Sequence, residues 1–257
     1  MITVNDILQW IDSVAPFDTQ AEYDNSGLLI GDPGVEVHRI LFALDVTDNV
    51  LDEAEALHAD LLITHHPLMF NSIKRLVETD YEAHLIRRMI RMGLSHIAAH
   101  TNLDQAPGGI NDVLAQTCGL INVEGSAFIR VGDLPEPMNA SVLSSFLSEK
   151  LHTVIRVCGD KERICHRLGL CSGGGGSEWP EAHALGADAF LTGEMKHNHS
   201  LEATYHGMIC FEGGHFATEE PGIFALADAL QKQADTVKWN LEFFKSGAGS
   251  YNRPVQP

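Results

Sequence analysis

The chain has 257 residues, 44% of them hydrophobic, enough for one large or two modest domains with a real core. Its formal charge is −18, from 17 Lys+Arg against 35 Asp+Glu, which leaves no broad basic face for neutralising phosphates and argues against direct nucleic-acid binding. No apolar run reaches the roughly 20 residues of a membrane span. The opening Met1–Asp6 also lacks the basic start and apolar stretch of a signal peptide, so a cytoplasmic protein is expected.

In chain order, Asn5 to Val14 reads as a helix with Ile7, Leu8 and Ile11 on one face, and Arg39 to Leu44 as a short apolar strand. Thr47 opens a helix through Leu57, Asp60 to Thr64 is a buried strand, Tyr81 to Met92 an amphipathic helix, and Leu94 to Ala99 a strand. Ile110 to Cys118 is helical, Gly125 to Pro137 a strand and loop, and Asn139 to Leu151 a helix. The strands then fall at Leu168–Cys171, Ala189–Thr192, Met208–Phe211 and Val237–Phe244. Helices fall at Glu178–Leu185, His199–His206 and Glu220–Gln231, and an irregular tail is expected over Ser246 to Pro257. This alternation predicts layered α/β sheets.

The halves repeat. Ala59-Asp60-Leu61-Leu62-Ile63-Thr64 matches Ala187-Asp188-Ala189-Phe190-Leu191-Thr192, and the next strand of each half leads to histidine followed four residues later by a carboxylate: His100…Asp104 and His215…Glu219. An internal duplication follows, with two similar α/β lobes packed around a central cleft. Their expected bounds are 1–124 and 168–257, joined by a short connection over 125–167 into one compact unit.

The chemistry gathers at strand ends. His65 and His66 follow an apolar strand directly, where ligands of open α/β sheets bind. Adjacent residues leaving a strand point different ways, so each imidazole can serve one of two metals about 3.5–4 Å apart. Asp104 is read as a carboxylate ligand rather than a cap, and His100 as a ligand or the partner of one. His215 and Glu219 follow Gly213-Gly214, whose missing side chains permit close approach, with Glu219 placed at a helix start. Three histidines and two carboxylates exceed a tetrahedral zinc site and suit two divalent ions, Zn, Fe or Mn. Fourteen histidines in an acidic chain agree with that.

Three weaker features stay open. Glu22 to Gly27 lines a pocket or is a plain turn. Ser172 with Gly173 to Gly176 is a flexible turn in preference to a phosphate cradle, lacking P-loop residues. Glu194, with Lys196, His197 and His199, either frames the substrate side of the site or solvates a helix start. The five cysteines are odd in number and contain no CxxC pair, so they are read as reduced, mostly buried thiols.

The sequence resembles the YbgI-like, or NIF-three-like, dinuclear metal-centre family, often labelled GTP cyclohydrolase I type 2 homologues. Nearly the whole chain carries the likeness, through Tyr23-Asp24-Asn25-Ser26-Gly27-Leu28, Ala43-Leu44-Asp45-Val46-Thr47, Ile63-Thr64-His65-His66-Pro67, Asn102-Leu103-Asp104, Thr192-Gly193-Glu194, and Gly214-His215 with Thr218-Glu219. The resemblance implies His65, His66, Asp104, His215 and Glu219 as ligands of the metal pair, Glu219 touching both ions, in a ring-shaped homohexamer. His100 and Glu194 remain as supporting residues. A metal-dependent hydrolase follows, GTP being one substrate the family label suggests and no catalytic residue being identified. The alternative is a non-enzymatic metal-binding, metal-delivery or scaffold protein.

Overall fold

Local chemistry prepares each element. The computed structural model describes residues 1–125 and 127–248, so the expected tail lies from Gly249 onward outside the described residues. α1 (Val4–Val14) opens on a capping box in which Thr3 N donates to the Asp6 carboxylate at 2.8 Å and Asp6 N donates back to Thr3 Oγ1. Val4, Ile7 and Ile11 of its inner face are fully buried. β1 (Gly27–Ile30) and β2 (Arg39–Ala43) follow, then α2 (Asp48–Leu57), whose first turn donates from Val50 N to Thr47 Oγ1. β3 (Leu61–Thr64), α3 (Tyr81–Met92), β4 (Ser95–Ala98) and the short α4 (Thr101–Gln105) complete this stretch.

The chain then forms α5 (Ile110–Thr117), β5 (Ile121–Glu124), β6 (Arg130–Asn139), α6 (Ala140–Leu151), β7 (Arg156–Cys158), β8 (Ile164–Cys171), α7 (Trp179–Ala184), β9 (Ala189–Thr192), α8 (His197–Tyr205) and β10 (Ile209–Glu212). α9 (His215–Val237) and β11 (Glu242–Lys245) end it. One unit comprises Met1–Gly109 with the described residues from Ile223, and the other Ile110–Gly222.

The first unit holds a five-stranded sheet in the order β1-β4-β3-β2-β11. β11, β2, β3 and β4 run parallel, and β1 closes one edge antiparallel. All four residues of β3 are buried, as a strand covered on both faces requires. Leu41, Leu51, Leu62, Leu85 and Met89 centre the core on one of those faces.

The second unit repeats the scheme in a six-stranded sheet, β5-β6-β8-β9-β10-β7. β8, β9 and β10 are parallel, and β7 is an antiparallel edge beside β10 as β1 is beside β4. The duplication extends to hydrogen bonds. The Asp60 carboxylate accepts from His38 N at 2.8 Å and Arg39 N at 2.9 Å. The Asp188 carboxylate accepts from His166 N at 3.0 Å and Arg167 N at 3.1 Å. Each clip fastens the start of one parallel strand to the start of the next.

Three expectations need correcting. Residues 125–167 do not form a short connection; they supply β6, α6, β7 and the start of β8, and β6 pairs antiparallel with β8. The ladder is irregular between Asp133 and Met138, where Pro135 and Pro137 have no N–H to give, which explains why the sequence reads as strand and loop. Val237 to Phe244 narrows to β11 and adds to β2 of the first sheet, so the units do not divide at 124 and 167. The helix expected from Glu220 begins at His215 and places Pro221 within it. Among the described residues no helix is long and apolar enough to cross a membrane.

Candidate metal centre

In the first unit the end of β3 is tied by backbone bonds to the ends of both neighbours, His66 N to Leu44 O after β2 at 3.0 Å and Ala99 N after β4 to Thr64 O at 2.9 Å. That frame delivers three imidazoles to one place. Ring centroids of His65 lie 5.0 Å from those of His66 and His100, and His66 lies 5.5 Å from His100. One nitrogen from each falls within 4.8 Å of the others, a spacing that could hold a metal ion. Asp104 Oδ1 stands 3.5 Å from His65 Nε2.

Each ring is oriented by an acceptor on Nδ1. His65 Nδ1 lies 2.8 Å from Ala99 O, His66 Nδ1 2.6 Å from Asp45 Oδ1, and His100 Nδ1 2.7 Å from Asp24 Oδ1. A carbonyl or carboxylate oxygen only accepts, so in all three the proton sits on Nδ1 and the lone pair on Nε2. Metal-binding histidines are oriented in this way, and the partner also raises the donor strength of the ring. This observation makes the residues fit a divalent cation.

Asp24 is itself built in. Its side chain is fully buried and accepts from Asn25 N at 2.7 Å, Ser26 Oγ at 3.1 Å and Thr101 N at 3.0 Å, besides His100 and the Thr101 hydroxyl. Burial is the largest influence and would raise its pKa, but the bonds from His100 and Thr101 outweigh it and hold the carboxyl well below the usual range. Behind His66, Thr64 Oγ1 donates to His66 O at 2.7 Å and therefore accepts from His96 Nε2 at 2.8 Å. Burial pushes the fully enclosed His96 down to about 3, so it remains neutral.

In the second unit His215 and Glu219 face each other across one turn of α9, with Nε2 to Oε2 at 3.1 Å, and His215 Nδ1 lies 3.5 Å from Glu194 Oε1. His215, expected ahead of the helix that Glu219 begins, is thus itself helical and a neighbour of Glu219 at i and i+4. The strand-end loops are laced together by Glu194 N to Gly173 O at 2.8 Å, Gly214 N to Gly193 O at 3.0 Å and Gly173 N to Thr218 Oγ1 at 3.1 Å. Gly173 has φ +53°, and a Cβ there would collide with Glu219 Oε1 and come 2.9 Å from His215 Nε2. Gly173 therefore serves close packing beside these side chains.

The structure brings His65, His66, His100 and Asp104 together in one unit, and Glu194, His215 and Glu219 in the other. It turns His100, left open by sequence, into a third imidazole of the first group. Asp24 and Asp45 were not identified as orienting partners; each lies far from its histidine in sequence, and the hints were the family-like segments around them and, for Asp24, the reading of Glu22 to Gly27 as pocket or turn. None of the five cysteines forms a disulfide, and burial pushes Cys118 and Cys210 up to about 12, consistent with inert thiols.

A duplicated α/β chain whose strand ends carry oriented histidines and carboxylates defines a class of candidate metal-binding proteins. The family model described as Duf34/NIF3 (NGG1p interacting factor 3) matches residues 2–249, and the chain belongs to that family. A Streptomyces coelicolor protein named GTP cyclohydrolase 1 type 2 homolog is 31% identical over 256 residues, covering 94% of this chain and 90% of its own. Among solved structures, Staphylococcus aureus hypothetical protein SA1388 matches with TM-score 0.92 and 26% identity over 99% of both chains. Protein ybgI, of unknown function, matches with TM-score 0.85 and 27% identity over 97% of this chain and 100% of its own.

Proposed function

We propose that the two groups of side chains act as one centre for two divalent cations, with His65, His66, Asp104, His215 and Glu219 as ligands, and that the protein is a metal-dependent hydrolase. The observation that carries this is the shared orientation of His65, His66 and His100, each with its Nδ1 proton held by an oxygen. His100 joins as a ligand or a close support, and Glu194 as the partner of His215. Such cations supply Lewis acidity and a water acidified toward neutral pH. The chain's own residues fix the donors: Ala99, Asp45 and Asp24 hold ring protons, Thr64 and His96 hold the His66 backbone, and Gly173 leaves room for Glu219.

The substrate is a small molecule, and the names of the curated relatives make GTP the first to try. The working form in this reading is a cytoplasmic homo-oligomer, a ring-shaped hexamer by family resemblance. The test is turnover of a nucleotide panel, GTP included, by protein reconstituted with Fe, Mn or Zn. Hydrolysis lost in a Glu219→Ala variant that stays folded supports the enzyme. No turnover with any metal, together with transfer of the ion to an apo-acceptor, contradicts it in favour of metal delivery.

A further inference from the structure

We propose that Tyr23 and Phe70 form a stacking platform for a planar heteroaromatic ring of the substrate beside His100, an inference that rests on the metal-centre reading above. Phe70 is 41% exposed and Tyr23 66%, although aromatic side chains gain much from burial. Their centroids lie 6.3 Å apart at an interplanar angle of 56°, and Phe70 meets His100 edge to face at 6.1 Å and 83°. Two exposed rings thus stand side by side, and one of them, Phe70, meets an imidazole that could hold a metal.

Their placement is fixed by the same bonds that fix the histidines. Tyr23 immediately precedes Asp24, which accepts from His100 Nδ1, and Phe70 lies four residues after His66. Asn25 Nδ2 donates to Met69 O at 2.6 Å and ties the two aromatic loops together. A flat ring resting there would be held at a set distance from the histidine Nε2 atoms, which is what reaction geometry demands. Every flat heterocycle presents a π face, so the platform selects that class over sugars or aliphatic chains without choosing among bases.

The experiment is calorimetric binding of guanosine, with ribose as the control lacking the ring, to metal-loaded protein whose metal content is measured in each sample. Phe70→Ala and Tyr23→Ala are expected to weaken guanosine at least fivefold, the lower end of the effect of one stacked base. Metal content and melting temperature stay unchanged, and Phe70→Trp retains or tightens binding. Guanosine that binds wild type no better than ribose, or binds Phe70→Ala as well as wild type, overturns the platform. So does a changed oligomeric state in Phe70→Ala with guanosine affinity intact, which assigns the rings to a contact between copies. Wild-type protein that takes up no metal yet binds guanosine in a Phe70-dependent way sinks the metal centre and leaves the platform standing.

Discussion

The end of β3 and the end of β9 are the same place in a duplicated scaffold, and they have been put to different uses. Sheet order, parallel register and the aspartate clip at the strand start agree between them. Thr64 is followed by His65-His66, whereas Thr192 is followed by Gly193-Glu194. The first end presents imidazoles whose protons are held by Asp45 and a carbonyl. The second gives up side-chain volume: a Cβ on Gly193 would come 2.8 Å from His215 Cα. One copy of the scaffold presents donors from strand ends, and the other makes room for donors on a helix. The duplicated sheets share strand order and register, and differ in the side chains at these two strand ends.

The comparison breaks most easily at the donors. His66→Ala is expected to weaken divalent-metal binding by more than the roughly 10–100-fold lost when an orienting partner is removed. Glu194→Ala, at the equivalent position, should cost far less, and competition with a chromophoric chelator reads both. Asp45→Ala tests the orientation argument alone; a loss of about 10–100-fold in metal affinity with the fold intact is the expected result. Equal affinity to wild type would show that the His66 tautomer does not matter.

Gly173→Ala probes the room-making side. The added Cβ collides with Glu219, and φ +53° strains any L side chain, so stability should fall by about 1–3 kcal/mol. A melting temperature lower by about 2–4 °C per kcal/mol is the readout. Smaller and matched effects are expected from the clips. Asp60→Ala and Asp188→Ala each remove an acceptor of two backbone bonds and should each cost about 1 kcal/mol, leaving metal binding unchanged. A large inequality between them would show that the halves are alike in path but not in energetics.

A last difference separates the sheets by pH. Neutral His96 has its pKa at about 3 in the folded protein against 6.5 for the ordinary group. Between those values the unfolded chain binds the extra proton, so stability falls as pH drops from about 6.5 toward 3. The corresponding strand of the second sheet has no histidine; its residue is Cys210. Denaturant unfolding should therefore show a shallower acid slope in a folded His96→Leu variant than in wild type, and an unchanged slope would refute the assignment.

Much of this was legible in the sequence because it is local. The span of α3 is as read, and the caps at Thr47 and Asn139 lie where hydroxyl and amide precede a helix. The paired His-x3-carboxylate segments and the continuous apolar runs of β3 and β9 revealed the repeat. What was hidden is tertiary. β1 is only half buried along its length, β5 is exposed throughout and β7 has three residues, so none shows a clear period. His100 meets Asp24 across 76 positions and His66 meets Asp45 across 21, distances at which no spacing rule operates.

The central claim is a pair of cations held by donors from both halves of the repeat. Elemental analysis of the purified native protein, beside His65→Ala and His215→Ala variants, tests it most directly. The account predicts close to two divalent ions per chain in the native protein and a clear loss in each variant. Fewer than one ion per chain in the native protein, or no loss on removing His215, would contradict it.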